Sequence, residues 1–178
     1  HQCPSCHGPI ESEEGFVAWR CTNFACPAQA VTRIKHFAQR KALDLDGLGE
    51  SVAIKLVETG LASSPLDLFT LTEFDLAGLM LDPAKSDNGV AISKERRFGE
   101  KRATTLLTSI QRAKEEMPLS RWLFAMGISH IGESSSKELA RLHERLSVIP
   151  NSPIISYLAG LPDFEELSKS KRKKENHP

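Results

Sequence analysis

With 178 residues, 40% of them hydrophobic, the chain can fill one modest core or two small ones and is too short for a multi-domain enzyme. Its 23 basic and 23 acidic residues cancel, so bulk positive charge does not mark it as a binder of nucleic acid or anionic membrane. The balance hides an asymmetry: residues 169–178 hold five basic residues and one acid, which leaves 18 basic against 22 acidic residues, a formal −4, over residues 1–168. No apolar run approaches the roughly 20 residues of a membrane span, and no charged-then-apolar leader points to secretion. There is no initiator Met, and His1 stands two residues before the first Cys, so the sequence reads as a piece of something longer.

All four cysteines, Cys3, Cys6, Cys21 and Cys26, fall in the first 26 positions with the spacing C-x2-C-x14-C-x4-C. Two close pairs that converge across a loop are what a tetrahedral zinc ion needs, with sulfurs about 2.3 Å from the metal. Ile10 to Glu14 reads as a turn and Gly15 to Arg20 as a short strand returning to Cys21. Disulfides would suit a secreted chain, and a redox pair would sit where a strand meets a helix in a larger sheet; neither setting is present. Four thiolates leave no open position for water, which makes the zinc structural rather than catalytic. His7 is read as an exposed imidazole, not a fifth ligand.

Pro27 suits the first turn of a helix. Beyond it Val31, Ile34, Phe37 and Ala38 form an apolar stripe at helical spacing, with Arg33, Lys35, Arg40 and Lys41 outside it. Next comes Leu43-Asp44-Leu45-Asp46-Gly47-Leu48-Gly49-Glu50, two glycines around one apolar residue, followed by a helix with the small residue Ala53 four places on. That is a helix-hairpin-helix signature: the glycines free the turn, and the helix N-terminus offers unpaired N–H groups to a phosphate. Asp44 and Asp46 are read as turn-capping residues rather than a metal pair.

The pattern recurs as Arg97-Phe98-Gly99-Glu100-Lys101-Arg102-Ala103 and as His130-Ile131-Gly132-Glu133-Ser134-Ser135-Ser136. Only the first copy keeps a glycine at the leading position; Arg97 and His130 replace it in the others. Three copies of apolar-Gly-Glu within about 90 residues argue for tandem hairpins, whose apolar stripes continue through Ala103, Leu106, Leu107 and Ile110 and through Leu139, Leu142 and Leu146. Backbone amides explain how a neutral module holds phosphates, and Lys101 and Arg102 give the second copy the best local charge. Short helices are expected from Ser64-Pro65, from Thr72-Glu73-Phe74-Asp75 with its capping-box pattern, and over Ser120–Met126, where Trp122 and Phe124 belong to the core. Asp82 to Glu95 reads as a loop. After Pro150 the pattern weakens toward a solvated or linker-like basic segment. The organisation expected is a zinc finger over 1–27, a helix-hairpin-helix domain over 28–149, and the linker-like segment over 150–178. The fold class is mainly α, a small zinc-stapled β-finger followed by tandem helix-hairpin-helix repeats.

The set Cys21-Thr22-Asn23-x-x-Cys26-Pro27-Ala28-Gln29, Leu43 to Glu50, Phe98-Gly99-Glu100-Lys101 and Leu123 to Glu133 resembles bacterial NAD-dependent DNA ligases, in that family's order over residues 3–146. The resemblance implies a structural zinc finger and a helix-hairpin-helix domain that grips nicked duplex DNA through phosphates in the minor groove. The whole enzyme would be a cytoplasmic, nucleoid-associated monomer sealing nicks in replication and repair, with NAD as adenylate donor and Mg2+ in a nucleotidyltransferase domain that this sequence lacks. The DNA-facing residues so implied are Gly47, Leu48, Gly49, Arg97, Phe98, Gly99, Lys101, Arg102, His130, Ile131 and Gly132. The chain departs from the family at His7 and Arg97, where glycine is usual, at 82–95, which looks like an insertion, and at the fourth hairpin, which is not visible. Lys85-Ser86-Asp87-Asn88-Gly89 imitates the ligase nucleophile motif K-x-D-G, but Asn88 takes the glycine position and Lys85 stands in a loop, so no catalytic residue is assigned. Tandem hairpins of another repair enzyme, or a zinc-stabilised protein-interaction scaffold, are the rival readings; the zinc half directly upstream of the hairpins argues against the first and the repeated glycines against the second.

Overall fold

A computed structural model describes residues 2–12, 19–82, 85–87 and 90–160, with side chains left aside at 85–87, 90–93 and 158. The polypeptide opens with two short antiparallel strands, β1 (Ile10–Ser12) and β2 (Trp19–Cys21), in the register Ile10↔Cys21 to Ser12↔Trp19. Ile10 to Ser12 is thus a strand and not part of a turn, because its backbone groups are needed to pair β2 and bring Cys21 back toward Cys3 and Cys6. Of the strand expected over 15–20, Trp19 and Arg20 lie in β2 and the rest lies outside the described residues.

Helix α1 (Pro27–Ala38) begins with Pro at its first turn, where the missing N–H costs nothing. It buries Ala30, Ile34, Phe37 and Ala38, positions i, i+4, i+7 and i+8 of one face. This face is the centre of the core. Phe37 is fully buried, edge-on to Phe69 (6.0 Å, 81°) and to Trp122 (6.0 Å, 73°), and those two rings stack at 5.8 Å. Helix α2 (Glu50–Glu58) adds Val52, Ala53 and Leu56 to the same core. A 3-10 turn, Pro65–Phe69, and helix α3 (Glu73–Ala77) follow; both have reciprocal capping boxes, Ser64 with Asp67 and Thr72 with Asp75.

The segment expected as a loop is instead built of strands. β3 (Met80–Asp82) pairs with β6 (Arg96–Arg97), and β4 (Lys85–Asp87) pairs with β5 (Val90–Ser93) in a separate antiparallel ladder. Asp87 pairs with Val90, and the intervening sequence Asn88-Gly89, outside the described residues, is the dipeptide favoured in two-residue hairpins. Absence of an apolar period concealed this, because a short two-stranded ribbon need not bury either face. Helix α4 (Glu100–Glu116) then buries Ala103, Leu106, Ser109, Ile110 and Ala113, stops before Met117-Pro118, and leads into α5 (Leu119–Ala125).

Helix α6 (Glu133–Leu142) does not continue its apolar stripe as expected. Leu139 is half-buried, but Leu142 and Leu146 are 53% and 44% exposed. The chain leaves helical geometry at His143, whose ring turns inward instead: Nδ1 meets the Leu139 carbonyl at 2.9 Å and Nε2 meets Ser152 Oγ at 2.6 Å. Regular structure also persists past Pro150, as a 3-10 turn over Leu146–Asn151 and helix α7 (Pro153–Ala159). The basic stretch 169–178 lies outside the described residues.

Replacing Phe37 with Ala should destabilise the chain by about 3–5 kcal/mol, the cost of lost transfer energy plus a cavity between Phe69 and Trp122. Urea unfolding followed by tryptophan fluorescence measures this, Trp122 being the reporter inside the cluster.

Candidate metal centre and nucleic-acid interface

The first sulfur pair sits on a tight knuckle. Cys3 N–H donates to the Gly8 carbonyl (2.9 Å) and His7 N–H to the Cys3 carbonyl (2.8 Å). His7 holds φ +57°, the left-handed conformation that glycine takes most readily, and its ring is exposed. The second pair is set by β2 and by the turn before α1, where Cys26 N–H donates to the Asn23 carbonyl and Ala25 N–H to Asn23 Oδ1. Cys3 and Cys26 sulfurs lie 3.8 Å apart, Cys6 and Cys21 sulfurs 3.5 Å, and all four lie within 4.8 Å of one another. A tetrahedron with metal–sulfur bonds of about 2.3 Å has edges of about 3.8 Å, so the donor set fits zinc. These separations are far too long for a disulfide, and no disulfide joins the four cysteines.

The thiols are electrostatically unequal. Backbone amides at the start of α1, that of Gln29 foremost, hold the Cys26 thiol down to about 6 despite opposing desolvation. The Cys3 thiol is lowered by the amides of Ser5 and Cys6. Cys21 is pushed up to about 12, first by desolvation and then by the neighbouring sulfurs. Helix and knuckle amides thus favour the ionised forms of Cys26 and Cys3.

Each hairpin ends on a glycine that caps a helix: Gly49 before α2, Gly99 before α4, Gly132 before α6. None of the three helices has a side-chain cap, so the N–H groups of their first turns keep no side-chain acceptor. The small residue four places on is fully buried in every copy, Ala53, Ala103 and Ser136, as close packing of the paired helices requires.

The copies differ in how their turns are made. In the first, Gly47 takes φ +87° and Gly49 an ordinary extended −91°. In the third, His130 takes the left-handed position at +65° and Gly132 is extended at −85°. The second departs: Arg97 is a strand residue paired with Met80, and Gly99 itself carries φ +82°. The strands at 80–97 impose this, because Phe98 N–H donates to the Leu79 carbonyl and Gly99 N–H to the Ala77 carbonyl. Positive φ is therefore needed at Gly47 and Gly99 but not at Gly49 or Gly132, where a Cβ would also meet nothing within 4 Å.

Leu48 and Phe98 are buried beneath their turns, and Ile131 is half-buried, so these three support the loops from inside. A Cβ on Gly47 would lie 3.8 Å from the Phe98 ring, so hairpins one and two pack directly on each other. Arg102 places its guanidinium 4.5 Å over that same ring, and it and Lys101 are exposed. Arg97 is paired with Glu95 at 3.1 Å and Arg96 with Asp82 at 2.7 Å. Asp44 and Asp46 face Arg112, which donates to the Asp44 carbonyl at 2.9 Å and stands 3.6 Å from the Asp46 carboxylate. That long-range partner, 66 residues from Asp46, is what a local turn-capping argument misses. Lys85 lies in β4.

A zinc-stapled, mainly α module with glycine-capped hairpins is the class defined by these features. Among the described residues no helix is long and apolar enough to cross a membrane. Residues 2–28 match the family model of the NAD-dependent DNA ligase C4 zinc finger domain. Over 164 residues, 92% of its length, the chain is 47% identical to a DNA ligase of Akkermansia muciniphila. Over 84% and 83% of its length it is 40% identical to a DNA ligase of Chloroflexus aggregans and 39% to one of Rhodopseudomonas palustris. The chain belongs to the NAD-dependent DNA ligase family, and it spans about a fifth of the length of these curated relatives.

Cys26→Ser should abolish stoichiometric zinc and loosen residues 2–26 and the first turn of α1, since Cys26 is both a metal-site sulfur and the residue preceding α1, while the core around Phe37, with α4 and α5, stays protected. Metal analysis with hydrogen exchange reads both effects. Acidification should release the metal as the thiols regain protons. The amides that lower Cys26 stabilise its ionised form, so that contribution is complete above about 9 and is lost as pH falls through about 6; the zinc dissociation constant measured between pH 8 and 5 should rise steeply through that window.

Proposed function

We propose that the chain is the zinc-finger and helix-hairpin-helix portion of an NAD-dependent DNA ligase, the part that holds nicked duplex DNA while a separate nucleotidyltransferase domain performs the chemistry. One observation carries the reading. Three helices open on glycines without side-chain caps, and each buries a small residue four places on, a combination that the likewise uncapped α1 and α5 lack. Uncapped helix N-termini with a positive dipole end bind phosphate without net positive charge, which suits a chain of net charge zero.

In this reading the turns at 47–49, 97–99 and 130–132 offer amides to phosphates across the minor groove, and Lys101 and Arg102 add exposed positive charge. Leu48, Phe98 and Ile131 keep the turns in shape rather than touching DNA. The zinc ion, held by Cys3, Cys6, Cys21 and Cys26, supplies rigidity only, since four sulfurs close its coordination. NAD and Mg2+ belong to the catalytic domain, and no residue of this chain is assigned to them. The protein acts as a monomer in the bacterial cytoplasm at the nucleoid, where its DNA is. By itself the chain neither takes an adenylate nor seals a nick: Lys85 stands in a strand of a two-stranded ribbon, and the described residues form no nucleotide-binding domain; mass spectrometry after incubation with NAD and Mg2+ should find no adenylate.

Gly99→Val forces a β-branched residue into φ +82°, a strain on the order of 1–3 kcal/mol, and should weaken duplex binding several-fold at an unchanged salt slope. Gly132→Val, at an ordinary φ with open space around it, should keep the fold and lose less. Lys101→Ala should leave geometry intact and reduce the slope of log K against log salt by about 0.9. Fluorescence anisotropy with a nicked duplex at several salt concentrations separates these signatures. A Gly99→Val chain that folds and binds like the parent would move the DNA surface away from the hairpins.

A further inference from the structure

Arg33 is a half-buried cation that the hairpin account does not use. Its guanidinium carbon lies 4.1 Å over the Phe24 ring, and Nη2 donates to the Phe24 carbonyl at 2.6 Å. Its Nε is buried without a hydrogen-bond partner among the described residues. Arg112 Nε shares that state; what sets Arg33 apart is the surface beside it.

The same residue lines a groove of about 550 Å3 between α1 and hairpin three. Thr32, Arg33 and His36 form one side, and His130, Ile131 and Gly132 form the other. Met126 and Ile128, 43% and 47% exposed, add apolar surface between them. No lining residue is acidic. His36 is fixed in the wall by a 2.8 Å hydrogen bond between Nε2 and the Phe124 carbonyl.

We propose that this groove is a further DNA-binding site, taking the sugar-phosphate backbone that continues from hairpin three, with Arg33 on a phosphate and Met126 and Ile128 against the deoxyribose edges. Gly132, the uncapped start of α6, borders the groove, so a phosphate on the α6 amides leaves its neighbour at the groove mouth. A planar guanidinium already oriented by an aromatic ring matches a phosphate with little further ordering. The groove extends the duplex footprint from the hairpins toward the zinc finger, and the inference rests on the reading that the hairpins bind duplex DNA.

The test uses the zinc-loaded chain with a nicked duplex. Anisotropy at several salt concentrations is combined with 15N spectra, in which the Arg33 Nε–H and the amides of Glu50 and Glu100 are followed separately. Arg33→Gln should weaken binding roughly fivefold and lower the salt slope by about 0.9. Ile128→Glu leaves Arg33 and Phe24 intact, changes an exposed position, and should weaken binding at least as much. In the parent the Arg33 Nε–H should shift as DNA is added. If the hairpin amides shift while the Arg33 signal stays still and both variants bind like the parent, the groove proposal fails and the hairpin reading stands. If the parent shifts no amide and binds no duplex at low salt, the hairpin reading falls and this site with it. If a polyglutamate peptide moves the Arg33 signal and DNA does not, the groove is an acidic-peptide site and the proposal is overturned.

Discussion

Everything in this chain depends on the junction between Cys26 and α1. Cys26 ends the four-sulfur cluster, its amide is held by the Asn23 carbonyl, and its own carbonyl accepts the first hydrogen bond of the helix, from Ala30. One helical turn therefore transmits the position of the zinc site into the core. The opposite end of α1 delivers Leu43, Leu45 and Leu48 into hairpin one, and Leu45 N–H bonds back to the Ala38 carbonyl. The helix is short, 12 residues, and would be marginal alone in water. Metal at one end and aromatic packing around Phe37 at the other fix it, and the groove wall containing Arg33 and His36 inherits that rigidity.

The zinc cluster and the helices were legible in the sequence because each follows a fixed spacing. Two paired cysteines allow few arrangements, and Ile34, Phe37 and Ala38 recur at the helical period. The small residues Ala53, Ala103 and Ser136 were legible for the same reason, since close helix packing tolerates nothing larger. What stayed hidden lacks a local period. The ribbon at 85–93 had only Asn88-Gly89 to announce it. Arg112 against Asp44 and Asp46, and Arg33 over Phe24, join residues whose proximity only the folded chain reveals. The exposure of Leu142 and Leu146 was hidden by an apparent i, i+3, i+7 stripe that His143 interrupts by turning inward to Ser152.

The glycines teach a finer lesson. The motif aligned Gly49, Gly99 and Gly132, yet only Gly99 of these has a backbone closed to other residues. At the leading position Gly47 and His130 share the left-handed conformation, while Arg97 has been drawn into a strand. Sequence alignment preserved the order of the letters; the strain moved two positions when the ribbon was placed before hairpin two. His7 and His130 show the complement, a non-glycine residue holding a glycine-like φ where surrounding hydrogen bonds define the turn.

In the proposed reading, charge explains how a neutral module would take phosphate at chosen points. Every hairpin places a Glu first in its helix, where a carboxylate would otherwise favour the positive dipole end and compete with a ligand. Two of the three are drawn aside. Glu50 pairs with Lys35 at 2.7 Å, and Glu133 pairs with Lys137 at 2.8 Å and Lys41 at 3.4 Å, which lowers its carboxyl below the ordinary range. Those lysines are consumed locally, so they add little to the long-range field, but they keep the carboxylates from occupying the amides. Glu100 has no such pair among the described residues, and its hairpin is the one flanked by exposed Lys101 and Arg102. Neutralising the N-terminal acid by a lysine and overmatching it with adjacent cations are two solutions to one problem, and each hairpin uses the one its neighbours permit.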